Sequence, residues 1–250
     1  MIGRRADELR LAFLLLTRLP IGTIPGEAPT VAASSWAWPI VGLAVGAISA
    51  GAAALAGATG MTPQMAAIIA LAAGALATGA MHEDGLADLA DGFVRGGRTR
   101  DRKLEIMRDS RIGSYGVVAL ILCFGFRAAG LASLIESGGA FIGLAAIAAA
   151  SRAVLPAALV LMPPARPDGL GRSAAGTDPV PAQMAALTGI LLLLPLGPGT
   201  ALTVAISMAL TALAVGWLAM RQIGGQTGDV MGAMQQLAEC AGWACVAASI

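Results

Sequence analysis

Charge is what this chain most lacks. Only 12% of its 250 residues are Asp, Glu, Lys or Arg, against about 25% in an ordinary soluble domain. Mean hydropathy is +0.77, and several runs of 16–23 residues carry little or no charge. About 20 apolar residues suffice to cross a bilayer. A soluble helical core would need polar helix faces, and few are present. Cysteine is scarce as well: Cys123, Cys240 and Cys245 all fall in apolar runs. Their odd number and their spacing exclude a disulfide framework and a thiolate metal site. A net charge of +1 says little by itself, and no nucleic acid is expected as a partner. The N-terminus lacks a small-residue cleavage site, and Arg18 interrupts its apolar stretch, so a signal peptide is not expected. An amphipathic surface helix is, with Leu9, Phe13 and Leu16 on one side.

What is present is a set of apolar segments separated by charged loops. The expected architecture is all-α: a polytopic integral membrane bundle in which residues 1–250 form one catalytic domain. About seven transmembrane helices are expected near 37–58, 63–82, 115–135, 140–162, 182–197, 200–220 and 230–249. Fourteen of the 16 Lys and Arg residues fall before the first span or in the loops after the second, fourth and sixth. The other loops have none. Basic loops stay in the cytoplasm, so a cytoplasmic N-terminus and an inner-membrane location follow. Segment 82–114 is then cytoplasmic, with a second amphipathic helix around Leu104, Ile106 and Met107.

The sharpest feature is "MHEDGLADLADGF", residues 81–93. In a helix of about 100° per residue, Asp84, Asp88 and Asp91 project within about 60° of one another. Glu83 sits on the flank, and His82, the single histidine, points away. Like charges at this spacing destabilise a helix. A solvated acidic face is one reading. The other is a site for a hard cation such as Mg²⁺, which is held by one or two carboxylates together with phosphates and water. The interleaved Gly85, Ala87, Ala90 and Gly92 would let a second helix or a substrate approach.

Other motifs surround this stripe. Arg127, Arg152 and Glu239 lie inside spans, where charges are costly; they either hold phosphate or form a structural ion pair. "RQIGGQTGDVMGAMQQ", 221–236, offers Gly224, Gly225 and Gly228 for a turn. It also offers Thr227 or Asp229 as helix cap, and Asp229 as a further cation ligand. "MRDSRIGSYG", 107–116, groups Asp109 and Arg111 before a helix restart at Ser114. The Gly- and Pro-rich loop 163–179 is a connector or a cover for a ligand.

These motifs resemble the cobalamin synthase family, the adenosylcobinamide-GDP ribazoletransferases. The matching stretches are "LTRLPIG", "WPIVGLAVG", "HEDGLADLADGF", "LEIMRDSRIGSYG", "SR" at 151–152, "ARPDGLG" at 165–171 and "GGQTGDVMGA" at 224–233. They run in the family's order over nearly the whole chain. The resemblance implies a Mg²⁺-dependent membrane enzyme. It would join adenosylcobinamide-GDP to α-ribazole, or its 5′-phosphate, and release GMP. It implies metal binding by Asp84, Asp88, Asp91 and Asp229, and acid–base roles for Glu83 or Asp109. Substrate contacts would come from Arg95, Arg111, Ser114, Arg152, Gly224, Gly225 and Thr227. Membrane lipid is the implied surrounding, with a homo-oligomer as a further candidate. Two rivals remain at this point. A CDP-alcohol phosphotransferase shares Asp-x-x-Asp-Gly but not its later aspartates, and a cation transporter would show a second copy of the stripe.

Overall fold

A computed structural model describes residues 2–174, 176 and 178–250, excepting the side chains of Ile2 and Leu170. The described residues are all-α. Their helices are α1 (Ile2–Leu16), α2 (Val31–Ser34), α3 (Trp38–Ala58), α4 (Pro63–Thr78), α5 (Met81–Arg95), α6 (Arg100–Ile106), α7 (Ser114–Glu136), α8 (Ala140–Ala153), α9 (Leu155–Leu161), α10 (Leu170–Ala174), α11 (Val180–Leu193), α12 (Pro198–Ile223) and α13 (Gly228–Ala247). The two expected amphipathic helices are α1 and α6. In α1, Leu16 is buried, with Leu9 and Phe13 packed against the core.

Every expected apolar segment is helical, but fewer than seven of the described helices are by themselves long and apolar enough to cross a membrane. Four stretches are long and apolar enough to cross: Val31–Ala58, Ser114–Glu136, Ala140–Leu161 and Pro198–Ile223. A fifth is possible only if α4 and α5 are taken as one broken unit, because they meet at 92°. The apolar stretch Val180–Leu196 is shorter. Helix α13 has the length, but Gln235, Gln236 and Glu239 are buried along it. Lipid-facing character is plain on α7 and α12, where Ile121, Leu122, Phe126, Leu202, Leu210 and Leu213 are all exposed. Apolar surface of this extent does not face water in a monomeric soluble protein.

The sharp bend has a local cause. Thr62 caps α4 by accepting the Met65 N–H, and Pro63 occupies its first turn. At the other end Gly79 and Ala80 are both left-handed, with φ of 69° and 57°. Ala80 is the sole non-glycine residue with positive φ among those described, a conformation that costs about 1–2 kcal/mol. Arg18 braces the elbow: its N–H donates to Ala77 O at 2.7 Å, and its side chain fills the space a Gly79 Cβ would need. Helix α5 carries five charged residues and is not itself a spanning segment.

Small residues bring the central helices together. A Cβ on Gly42 or Gly46 would overlap the α8 backbone at Ala148 or Leu144, the backbone-to-backbone contact that a glycine four residues from another permits. Gly46→Leu is therefore expected to lower stability by at least the ~1–3 kcal/mol of ordinary overpacking. Gly57→Leu, in open space on the same helix, should leave the thermal unfolding of purified protein in detergent unchanged.

Candidate active site

Helix α5 runs unbroken through Gly85 and Gly92, so the carboxylate stripe exists. It is anchored on three sides by close contacts at small residues. Gly85 lies against Asp229 and Gly232 of α13, with room for no Cβ. Ala87 meets Gly116 of α7, and Gly92 meets Met107 after α6. The Gly85–Gly232 contact places carboxylates of α5 and α13 side by side.

The three stripe residues are not equivalent. Asp91 is buried, and its Oδ2 accepts the Gly113 N–H at 2.6 Å. It thus caps α7 from another helix, and α7 starts at Ser114, where a restart was expected. Arg95 stands 3.9 Å from the same carboxylate. Asp84 and Asp88 instead line an outer cavity of about 260 Å³, together with Arg108, Asp109 and Ser110. Asp84 also lines an inner cavity of about 250 Å³, opposite Asp229 and beside His82. His82 therefore belongs to the wall of the site, although it points away from Asp88. Among the described residues no three His, Cys, Asp or Glu side chains are close enough to grip one metal ion.

Electrostatics single out Asp88. Partial burial, and then the nearby carboxylates of Asp84, Asp229 and Asp91, raise its pKa to about 7. Asp109 behaves oppositely: hydrogen bonds from the Arg111 side chain and N–H hold it at about 2. The Arg111 fork grips both Asp109 oxygens, at 2.7–3.2 Å. A carboxylate so held is a weak proton acceptor.

Several expected substrate contacts are already engaged within the protein. Arg152 is buried, bonded to Ala148 O and 3.5 Å from Glu239. Arg127 pairs with Glu239 and lies 3.8 Å from Glu83. Glu83 also accepts from Gln236 Nε2 at 2.9 Å. Of the two readings of the intramembrane charges, the structure shows the ion pairs. This network excludes Glu83 and Arg152 from the outer cavity lining. Gly224 ends α12 in a left-handed turn, its N–H bonded to Ala219 O and Met220 O. Gly225 presses on the backbone at Pro163. Thr227 caps α13 by accepting the Val230 N–H.

Loop 163–169, expected as a connector or a cover for a ligand, carries charged groups into the site. Gln226 N–H donates to Pro163 O and Ala165 N–H to Gln226 O, both at 2.8 Å. Arg166 then reaches Asp229 at 3.4 Å, and Asp168 pairs with Arg108. This strap supplies a cation facing the carboxylates. Its signal was present in "ARPDGLG", but the sequence does not place Arg166 beside Asp229.

Comparison with known proteins gives the family. The family model described as cobalamin-5-phosphate synthase matches residues 8–247. The chain belongs to that family. It is 50% identical to the adenosylcobinamide-GDP ribazoletransferase of Bradyrhizobium diazoefficiens, over 93% of this chain and 90% of that one. Identity to the protein of the same name from Mesorhizobium japonicum is 45%, covering 94% and 90%. For that of Azorhizobium caulinodans it is 44%, covering 96% and 94%. No solved structure matches the chain.

Two outcomes follow for stability. Glu239→Ala leaves Arg127 and Arg152 without their shared partner and should destabilise the bundle by about 3–5 kcal/mol, read by thermal unfolding. For Asp88 the folded pKa lies above the unfolded one, so its contribution is full at low pH and is lost as pH rises through about 7. Without divalent cations, Asp88→Asn should therefore melt higher than the parent at pH 8, and the gap should close as the pH is lowered to 4.

Proposed function

We propose that this chain performs the reaction for which its relatives are named, joining adenosylcobinamide-GDP to α-ribazole or its 5′-phosphate. The observation that carries the reading is the meeting of Asp84, Asp88 and Asp229 around two adjoining cavities, with Arg166 and Arg108 at their edge. In the reaction a ribose hydroxyl oxygen bonds to the phosphorus attached to cobinamide. The phosphoanhydride bond breaks, GMP leaves with the electron pair, and the hydroxyl proton passes to a base.

Each group has a part in this scheme. Two of the carboxylates Asp84, Asp88 and Asp229 would hold Mg²⁺, with substrate phosphate and water completing its shell; the all-oxygen donors suit a hard cation, and the raised pKa of Asp88 records charge that a cation would relieve. Bound Mg²⁺ supplies neutralisation of the pyrophosphate and of the charge that develops on the departing phosphate. Asp91 fits less well, being buried and committed to Gly113. Arg166 and Arg108 bind phosphate oxygens by exchanging their carboxylate partners for them. Asp109 positions Arg111 for the same task, and Arg95, at the end of α5, lies beside Gly113. Gly225 and Thr227 hold the strap and the α13 terminus that carry Arg166 and Asp229.

The loops that bear the site hold most of the basic residues, so the mouth faces the cytoplasm of an inner-membrane protein. A phosphotransferase acting on CDP-lipids and a cation transporter both lack support in the family match.

The deciding assay is GMP release from adenosylcobinamide-GDP by purified protein, with and without α-ribazole and Mg²⁺. Release should require all three. Asp84→Asn and Asp88→Asn should each lower the rate at least ~100-fold, about 2.7 kcal/mol in the barrier. Near-parental rates in both variants would contradict the metal assignment.

A further inference from the structure

A further cavity, of about 530 Å³, lies on the flank of the bundle between the α8–α9 segment, α11 and α12. It shares no lining residue with the two carboxylate cavities. Its wall holds no charged residue and no hydroxyl or amide side chain. Small residues make the space: Ala205, Ala209, Ala212 and Gly216 recur along one face of α12. Such residues normally draw membrane helices together, and Gly189 of α11 does meet Ala153 of α8. The α12 alanines line the cavity instead. Leu161, Leu213 and Trp217 of the same wall are exposed, so the cavity opens sideways onto the lipid-facing surface.

The surroundings decide what fills it. A purely apolar cavity stays dry, and an empty one forfeits dispersion contacts along its wall. Hydrocarbon is what a bilayer offers in their place. Dimensions agree. The wall follows α12 from Ala205 to Met220, about 22 Å at 1.5 Å per residue. One leaflet of hydrocarbon is about 15 Å deep, half of the bilayer core. Helix α12 is long and apolar enough to cross a membrane by itself, so a groove along it runs in the direction of the acyl chains.

A cation marks one end of the groove. Arg221, in the last turn of α12, lies over the Trp217 ring, 4.8 Å from its centroid. The residue is exposed and pairs with no carboxylate among the described residues. Trp and Arg at the end of a spanning helix sit at headgroup level.

We propose that this groove binds one anionic phospholipid, with an acyl chain in the cavity and its phosphate on Arg221. Guanidinium pairs with phosphate through parallel N–H donors, and a cation without an acidic partner favours a headgroup of net negative charge. The site is separate from the transfer reaction and does not depend on it. Met162 and Gly216 touch one another in its wall, and Met162 immediately precedes the strap that carries Arg166. The bound chain therefore packs against the root of that strap.

The test uses full-length protein purified in a mild detergent and stripped of lipid. It is titrated with phosphatidylglycerol or phosphatidylcholine and read by native mass spectrometry. A single phosphatidylglycerol should bind, about five-fold more tightly than phosphatidylcholine, as one interfacial cation implies. Arg221→Gln should remove that preference and leave phosphatidylcholine binding unchanged. Ala209→Phe, which fills the cavity, should weaken both lipids at least ~10-fold. Ala214→Phe, exposed on α12 and outside the lining, should change neither. Melting curves verify folding, and Ala209→Leu replaces the phenylalanine variant if that one does not fold. A diffuse shell of lipid with no single retained molecule, unchanged binding in the folded Ala209 variant, or a preference that survives Arg221→Gln would overturn the site. So would a concentration-dependent dimer that Ala209→Phe breaks apart, since a second copy would then occupy the groove.

Discussion

The contact between Gly85 and Gly232 is the constraint on which the site depends. Two helices from distant parts of the sequence approach there until backbone meets backbone. Asp84 and Asp229 are brought side by side as a consequence, and each would repel the other in water. The repulsion is tolerated because the helices cannot move apart. Their separation is set by glycine contacts, by Asp91 gripping the start of α7, and by the strap that carries Arg166. Preorganised charge of this kind is what phosphoryl transfer requires, since its catalysis is largely positioning and electrostatics.

Beneath the mouth the bundle is held by a second, very different set of interactions. Arg127, Arg152, Glu83 and Glu239 interlock with Gln235 and Gln236, all of them buried. Glu83 follows immediately before Asp84 in sequence, yet it faces the network while Asp84 faces the cavities. Adjacent residues within one turn of α5 therefore divide the buried network from the candidate site. Glu83 also ties the orientation of α5 to α7 and α13, so the network sets the angle at which the carboxylates are presented.

Much of this was legible in the sequence. Uncharged runs located the helices, and the 100° period placed Asp84, Asp88 and Asp91 on one face. Small residues at Gly85, Ala87 and Gly92 announced close neighbours, which α13, α7 and the residue after α6 turned out to be. The bend at Gly79–Ala80 was not legible, because nothing in the local pattern marks an alanine for a left-handed conformation. Without it, 63–82 reads as a straight span. The roles of Asp91 and Arg152 were hidden for a related reason: angular position says which face a side chain takes, and not which partner waits there. Arg166 lay in a loop, where no periodicity exists to place it.

The buried network also has an order in time. Arg127 and Arg152 belong to α7 and α8, whereas their shared partner Glu239 lies in α13, the last helix of the chain. Synthesis runs from the N-terminus, so both guanidinium groups emerge long before the carboxylate that neutralises them. Until α13 is made, Arg127 and Arg152 have only Glu83, 3.8 Å from Arg127, to offset them, in surroundings that penalise unpaired charge. Among the described helices, α13 therefore completes the buried network and, with Asp229, the candidate site in the same event.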